Sequence, residues 1–313
     1  MTDLHLHLDG SLSPEFILKQ AQKDGVLLPA DTLPSLEPYL TVGGSCGSLN
    51  EYLEKFDLPL SVLQTEDALE QGVYDLMANL AKEGLHSAEI RFAPQLHLSR
   101  GLSQEDVVQA AISGLKSACR DFAVDGSLIL CCMRMADNHI ANETTLAVAA
   151  RHLSSGVAGL DLAGAEGLFP TRCFESLFRK ASIRDIPFTI HAGEAAGPES
   201  IRDALRFGAV RIGHGIRCME DPSLLDELVK RQIPLEVCPT SNAQTKACDS
   251  LEKHPVLKLL DCGIRVTVNT DNRTVSNTNL KKEFELLRSC LHMTDAQETS
   301  LVENARRSLF KNL

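Results

Sequence analysis

The stretch Asp3-Leu4-His5-Leu6-His7-Leu8 alternates leucine with polar residues near the start of the chain. Side chains of a β-strand alternate between its two faces, so the three leucines share one face and both histidines share the other. If the leucines pack against helices, the two imidazoles point into the interior of a barrel. The stretch therefore predicts a first strand with paired histidines on its inner face.

Seven further short segments share the features of a buried strand, because they are rich in leucine or β-branched residues and are bounded by glycine, proline or charged residues. The eight predicted strands are residues 3–8, 86–92, 127–134, 157–162, 186–191, 209–213, 233–238 and 264–270. From the second strand onward, helix-like stretches separate them, with start signals such as the capping box Ser103-x-x-Asp106 and the cap Asp221-Pro222. This α/β alternation predicts a (β/α)8 TIM barrel, and a doubly wound open sheet is the alternative.

The interval between the first and second strands is too long for one helix and predicts a helical insertion over about residues 12–85. It contains one apolar helical stripe, formed by Leu49, Tyr52, Leu53 and Phe56 and capped by Ser48. Insertions after a barrel strand build over its C-terminal face, although periodicity alone favours packing on the outside of the barrel. The sequence shows no repeat and no linker, so we expect residues 1–313 to form a single domain.

The composition excludes several classes of partner. Lys and Arg number 31 against 42 Asp and Glu, and the formal net charge of −11 repels a phosphate backbone or an anionic bilayer. The absence of Trp and an aromatic content of 4% argue against a base-stacking groove. The ten cysteines include no C-x-x-C pair, and the first residues show no signal-peptide pattern. We expect a cytoplasmic protein with reduced cysteines that binds neither nucleic acid nor membrane, and the sequence predicts no protein partner.

Polar residues follow several of the predicted strands at the point where each strand ends. His191 ends the fifth strand, His214 follows the sixth in Gly-His-Gly, and Asp271 follows the eighth in Asn-Thr-Asp-Asn. In a barrel these carboxyl ends meet at one face, where active sites are found. We therefore expect these side chains to lie near His5 and His7.

Neutral imidazoles together with a carboxylate form a suitable shell for Zn2+, which accepts nitrogen and oxygen ligands and lowers the pKa of water. Each histidine taken alone is better explained as a core residue, but their coincidence at strand ends favours a metal site. Glu194 lies three residues after His191 and can reach the same space without binding the metal. Its residue type and position leave two readings open, a proton donor or a surface residue at a helix start.

The ordered motifs carry a resemblance that runs nearly from end to end. They are His5-Leu-His7-Leu-Asp9-Gly10-Ser11, Gly159-Leu-Asp161-Leu-Ala-Gly164, His191-Ala-Gly-Glu194, Arg211-Ile-Gly-His214-Gly, Leu235-Glu-Val-Cys-Pro-Thr-Ser-Asn242 and Asn269-Thr-Asp271. Together they resemble the adenosine deaminase family of the metal-dependent amidohydrolases. The resemblance implies that one zinc ion per chain is bound by His5, His7, His191 and Asp271.

The same resemblance implies roles for the other site residues. Glu194 would protonate purine N1, and His214 would orient the attacking hydroxide and help to move its proton. The remaining contacts would come from Gly164 to purine N3, Asp9 to the ribose hydroxyl, Asn272 to purine N7, and Leu53 and Phe56 in an apolar lid over the purine. The implied reaction is hydrolytic deamination of adenosine, and of 2′-deoxyadenosine, to the inosine product and ammonia in purine salvage.

Three features depart from the family pattern. Asn272 stands where many members have a second acid, and its amide can donate without being protonated first. The chain starts four residues before His5 and has a short tail after Asn304, so we expect the barrel ends to be less covered than usual.

Alternative functions remain at this point. Relatives that act on adenine, AMP or N6-substituted adenine nucleotides share the metal residues. A non-catalytic nucleoside-binding barrel should have lost a ligand or the acid, and neither is missing here. The run Gly43-Gly44-Ser45-Cys46-Gly47 matches the nucleophile elbow of serine hydrolases, but only one predicted strand precedes it.

Overall fold

A computed structural model describes residues 1–43 and 46–312 of the chain. The strands are β1 (Thr2–His7), β2 (Ser87–Phe92), β3 (Asp125–Arg134), β4 (Val157–Gly164), β5 (His191–Ala192), β6 (Ile212–His214), β7 (Leu235–Val237) and β8 (Val266–Val268). The helices of the insertion are α1 (Pro14–Asp24), α2 (Leu33–Leu40), α3 (Leu49–Leu53), α4 (Asp57–Val62) and α5 (Glu66–Lys82). The later helices are α6 (Gln104–Asp121), α7 (His139–His152), α8 (Glu175–Ile183), α9 (Pro198–Phe207), α10 (Pro222–Arg231), α11 (Pro239–Gln244), α12 (Val256–Asp261), α13 (Leu280–Leu291) and α14 (Asp295–Arg307).

The strands close into a barrel. Adjacent strands pair in parallel in the orders β1-β2-β3-β4 and β5-β6-β7-β8. Isolated bridges from Leu160 to Phe188 and from Leu6 to Asp271 join the two sets. The predicted TIM barrel is confirmed, and the open sheet is wrong because both edges of each set are paired.

Each of the eight predicted strands overlaps an observed one, but the strands in the second half of the barrel are shorter than predicted. The segment predicted as strand 186–191 overlaps the observed β5 (His191–Ala192) only at His191, and Phe188 contributes an isolated bridge. The helix signals are confirmed: Ser103 and Asp106 form a capping box at α6, and the Asp221 side chain caps α10.

The insertion places its apolar stripe at the mouth of the barrel. Ser48 caps α3 by accepting a hydrogen bond from the backbone of Glu51. Tyr52 is buried in a small cluster with Val275, and Phe56 packs against this cluster. The stripe therefore faces the C-terminal face of the barrel and does not lie on its outside. That the insertion acts as a lid stays a prediction.

The main hydrophobic core lies between the strands and the outer helices. Leu6 and Leu8 are fully buried in it, and it extends along the chain as far as Leu301 in α14. Leu4 is also fully buried, in a small cluster with Ala305 and Leu309. A core that spans the chain supports the single domain, which stays a prediction.

Two composition-based expectations can be compared with the described residues. Several cysteines are buried as predicted, whereas Cys173 and Cys262 are exposed. None of the helices in residues 1–43 and 46–312 combines the length and the hydropathy that a bilayer crossing requires.

Glu283 of α13 is a buried acid that makes stability depend on pH. Its carboxylate accepts hydrogen bonds from the Thr240 backbone and the Thr278 hydroxyl, 3.1 and 2.5 Å away. Burial raises its pKa from 4.5 to about 7. The folded state therefore binds this proton more tightly than the unfolded chain, so the free energy of unfolding falls as pH rises through this window.

We expect Glu283→Gln to remove this dependence and to raise the free energy of unfolding at pH 8 by about 2–3 kcal/mol. The amide is neutral at every pH and can still accept from the Thr240 backbone. Urea denaturation of both proteins at pH 5 and pH 8 measures the effect. A wild-type protein with the same free energy of unfolding at both pH values would contradict this prediction. The exposed residue Glu285, changed as Glu285→Gln, provides the control.

Candidate active site

Three imidazoles and one carboxylate converge at the carboxyl ends of β1, β5 and β8. The Nε2 atom of His191 lies 3.1 Å from that of His5 and 3.2 Å from that of His7. Asp271 Oδ1 lies 3.5 and 3.4 Å from the same two Nε2 atoms of β1. The structure thus brings together the four predicted metal ligands, whose donor atoms all lie within 4.8 Å of one another.

The backbone around Asp271 fixes its position against β1. Its N–H donates to the carbonyl of His5, and its carbonyl accepts from the N–H of His7, both at 2.7 Å. Asp271 has φ 61° and His214 has φ 59°, which lie in the left-handed region that non-glycine residues adopt at a cost of about 1 kcal/mol. Such backbone conformations concentrate at functional sites.

Buried carboxylates below the cluster orient two of the histidines. Nδ1 of His5 lies 2.8 Å from Glu236, and Nδ1 of His191 lies 2.9 Å from Asp161. Arg91 lies between these acids, 3.0 Å from Asp161 and 2.8 Å from Glu236, and keeps both ionised. A carboxylate can only accept, so each histidine donates from Nδ1 and, when neutral, presents an unprotonated Nε2 to the cluster.

The charge state of the imidazoles suits a cation. Burial lowers the pKa of His5 to about 4 and the pKa of His7 well below its usual range. Burial also lowers the pKa of His191, but the Asp161 carboxylate outweighs that effect and the net pKa is raised. The Nε2 lone pairs of His5 and His191 face each other at 3.1 Å with no proton between them when both rings are neutral. A cation bound by both rings would relieve this contact.

Glu194 lies beside the cluster without belonging to it. Its carboxylate accepts from the Thr245 hydroxyl at 3.0 Å and lies 3.6 Å from His214 Nε2. The residue is 4% exposed, so the surface reading of Glu194 is wrong. Burial raises its pKa, which favours a protonated acid next to the predicted metal ligands.

Glu166 holds the loop that carries Glu194. Its carboxylate accepts from the backbone N–H groups of Gly193, Glu194, Ala195 and Ala196 and from the Ser200 hydroxyl. Arg134, together with these donors, outweighs the cost of burial and keeps the pKa of Glu166 below its usual range. The ionised Glu166 side chain therefore positions this loop. The sequence alone did not predict this role for Glu166.

A cavity of about 310 Å³ opens above the cluster. Its walls include the predicted substrate and catalytic residues Asp9, Leu53, Phe56, Gly164, Glu194, His214 and Asn272. Its lining also includes His7, His191 and Asp271. All these predicted residues therefore share one pocket of a size suited to a small ligand.

Comparison with known proteins settles the family. The sequence model of the adenosine deaminase family matches residues 1–312. The chain belongs to the adenosine deaminase family. An adenosine deaminase from Haemophilus ducreyi is 49% identical over 312 residues, which cover 98% of this chain and 91% of the relative.

Solved structures agree with this family assignment. An adenine deaminase from Arthrobacter aurescens superposes with a TM-score of 0.88 at 33% identity, covering 98% of this chain and 92% of that one. A zinc-bound amidohydrolase from Burkholderia ambifaria superposes with a TM-score of 0.87 at 22% identity, covering 97% and 84%. At that lower identity the likeness concerns the fold.

The resemblance to the adenosine deaminase family is thus confirmed over nearly the whole chain. Ser45, the nucleophile of the serine-hydrolase alternative, lies outside the described residues together with Gly44. The family assignment favours the deaminase over that alternative.

The sequence reasoning missed several residues of this family member's site, although the three named here lie in the quoted motifs. Asp161 and Glu236 are polar residues inside otherwise apolar strands, and this interruption was the available signal. Ser241, which donates to Asp271 Oδ2 at 2.5 Å, had no comparable signal. Its role depends on a partner 30 residues away.

Proposed function

We propose that the protein is a cytoplasmic adenosine deaminase that converts adenosine and 2′-deoxyadenosine to their inosine products and ammonia, with one zinc ion per chain. The observation that carries this proposal is the convergence of four ligand atoms beside a buried, unligated Glu194 in one pocket. Family membership supports it.

The donor set fits zinc. His5, His7 and His191 offer nitrogen, and Asp271 offers carboxylate oxygen, which is a combination that Zn2+ accepts. When bound, zinc supplies a water molecule of lowered pKa as the nucleophile. Loading with zinc followed by elemental analysis should give one ion per chain.

Glu194 is the proton donor for the purine. Addition of oxygen at C6 places negative charge on the ring, and a proton delivered to N1 neutralises it. The buried carboxyl has a raised pKa and therefore retains its proton at higher pH than an exposed glutamic acid. The Glu194 carboxylate left by this transfer can then carry the proton of the added oxygen to the leaving amino group, so that collapse of the tetrahedral carbon forms the C6 carbonyl, breaks the C6–N bond and releases ammonia.

The pocket walls accommodate the rest of a nucleoside. Leu53 and Phe56 offer an apolar surface for the purine ring, and Gly164 offers its backbone N–H to N3. Asp9 lies in the same wall and can accept from a ribose hydroxyl. Burial raises the pKa of Asp9 to about 6, which is still below neutral pH. The carboxylate is therefore mostly ionised at pH 7 and can accept that hydrogen bond.

The charge of the lining disfavours nucleotides. Arg134 is the only Lys or Arg among the described lining residues, and its guanidinium already donates to the Phe169 and His191 carbonyls and the Thr171 hydroxyl. A 5′-phosphate would therefore find no available cation in this lining. Asp9 in turn favours a substrate with ribose over free adenine.

A substrate panel tests the proposal. We expect kcat/KM for adenosine and 2′-deoxyadenosine to exceed that for adenine, AMP and N6-methyl-AMP by at least about 100-fold, since a missing or repelled group costs several kcal/mol. The same zinc-loaded sample is assayed with each compound. Preference for adenine or a nucleotide would assign one of those activities, and nucleoside binding without turnover would make the protein a binding barrel.

Asn272 is tested by substitution with leucine. Its Oδ1 is buried without a hydrogen-bond partner, and a Cβ at Gly10 would lie 1.9 Å from it, so glycine is required opposite this side chain. We expect Asn272→Leu to lower kcat/KM by about 5- to 150-fold through loss of one buried hydrogen bond of about 1–3 kcal/mol. Unchanged catalytic efficiency for adenosine would reject the contact to N7, and the exposed Asn277, as Asn277→Ala, serves as control.

A further inference from the structure

A chain of buried hydrogen bonds ends at His214 and begins at a backbone group. The Val256 N–H donates to His254 Nδ1 at 3.2 Å. His254 Nε2 lies 3.2 Å from Asn242 Oδ1, and Asn242 Nδ2 lies 3.0 Å from His214 Nδ1. The three side chains are 2% exposed or less, so water does not compete for these groups.

The donor-to-acceptor direction of these hydrogen bonds is fixed by the first of them, from the Val256 N–H to His254 Nδ1. A backbone N–H can only donate, so His254 Nδ1 must accept. Burial lowers the pKa of His254 to about 3, and the neutral ring therefore carries its single proton on Nε2. His254 consequently donates to Asn242 Oδ1, and Asn242 donates from Nδ2 to His214 Nδ1. The opposite orientation of the Asn242 amide would require His254 to accept at both nitrogens, which a neutral imidazole cannot do.

We propose that Asn242 and His254 are positioning residues that hold His214 as its Nε2–H tautomer. Nδ1 of His214 is occupied by the Asn242 amide, so its proton lies on Nε2, which points to the space between Glu194 and the metal ligands. His214 is then a hydrogen-bond donor to the attacking oxygen. The Nδ1 lone pair accepts the hydrogen bond from Asn242, and Nε2 already carries a proton, so His214 does not accept a proton from the nucleophile. This differs from the proton-moving role that the family resemblance implied.

Nitrogen NMR tests the tautomer directly. Long-range 1H–15N spectra of protein labelled at histidine are recorded for both metal-free and zinc-loaded samples. The His214 signals are assigned by their loss in His214→Asn. We expect Nδ1 at the position of an unprotonated nitrogen and Nε2 at that of a protonated one. A His214 ring protonated at Nδ1, or at both nitrogens, would overturn the proposal.

Three variants link the tautomer to the chain of hydrogen bonds. Asn242→Asp can only accept, so it should move the His214 proton to Nδ1. His254→Leu frees the Asn242 amide and should give a mixture of tautomers, whereas His254→Gln keeps a donor in place and should restore the Nε2–H form. Wild-type tautomers in both Asn242→Asp and His254→Leu would contradict the positioning role.

Kinetics supply the second readout. We expect Asn242→Asp to lower kcat for adenosine by about 100-fold with little change in KM, as for loss of one preorganised donor. His254→Gln should retain most of the wild-type kcat. His97→Leu is the matched control: His97 is fully buried and donates from Nδ1 to the Leu63 carbonyl, but it does not contact His214. It should change stability without changing the His214 tautomer.

The proposal rests on the proposed deamination for its kinetic consequence only. If the protein turned over another purine, or none, the NMR result would still decide the tautomer of His214. A His214 proton moved to Nδ1 in Asn242→Asp together with a normal kcat for adenosine would reject the catalytic consequence and leave the substrate assignment intact.

Discussion

Glu194→Gln is expected to lower kcat for adenosine by about 100- to 10,000-fold, which is the usual contribution of a general acid. Glutamine has the same shape, and its amide oxygen can still accept from the Thr245 hydroxyl at the observed 3.0 Å. It carries no acidic proton for purine N1. Steady-state kinetics with zinc-loaded protein measure the loss, and zinc content should remain that of the wild type because Glu194 is not a ligand.

The pH profile distinguishes loss of the acid from loss of structure. In the wild type, kcat should fall on the alkaline side as Glu194 loses its proton, and its raised pKa moves that limb to higher pH than for an exposed glutamic acid. The variant should lack this limb. Glu199→Gln, which changes an exposed acid in α9 of the same segment, should keep kcat within about twofold. A retained alkaline limb in Glu194→Gln would assign the proton transfer to another residue.

The barrel was predictable because its signals are local. Each strand is a short apolar run between breakers, and the first one shows alternation within six residues. The convergence of the proposed ligands was predictable for a related reason: His5, His191 and Asp271 lie in β1, in β5 and after β8, and parallel strands bring these ends to one face. Residues that are far apart in the sequence therefore lie close together because each of them follows or ends a strand of the same parallel barrel.

The supporting residues were not predictable in this way because each acts through a distant partner. Glu166 is separated by about 30 residues from the loop that it holds, and its residue type is equally typical of a solvated surface. The direction of the chain from His254 to His214 depends on one backbone N–H, which no side-chain pattern records. The convergence of the proposed ligands thus follows from local pattern and topology, whereas orientation and protonation follow from long-range pairing.

Asp161→Asn is expected to weaken zinc binding by about 10- to 100-fold, the usual cost of losing an acid that orients a histidine ligand. Asp161 lies 2.9 Å from His191 Nδ1 and 3.0 Å from Arg91, and it is fully buried. An asparagine can still accept from one of these groups, but it loses the negative charge that makes Nε2 of His191 a stronger donor to the metal. Competition with a chromophoric chelator measures the Kd for zinc.

The matched control separates metal affinity from stability. Asp125→Asn changes an exposed acid at the start of β3 that pairs with Lys311, and it should leave the Kd unchanged. Asp161→Asn also removes one anionic partner of the buried Arg91, so the metal-free protein should lose stability, while Glu236 continues to neutralise that cation. A lower melting temperature with a wild-type Kd would show that Asp161 supports the fold alone. A weaker Kd together with the Nε2–H tautomer at His191 would show that the carboxylate acts on the metal by fixing which nitrogen carries the proton.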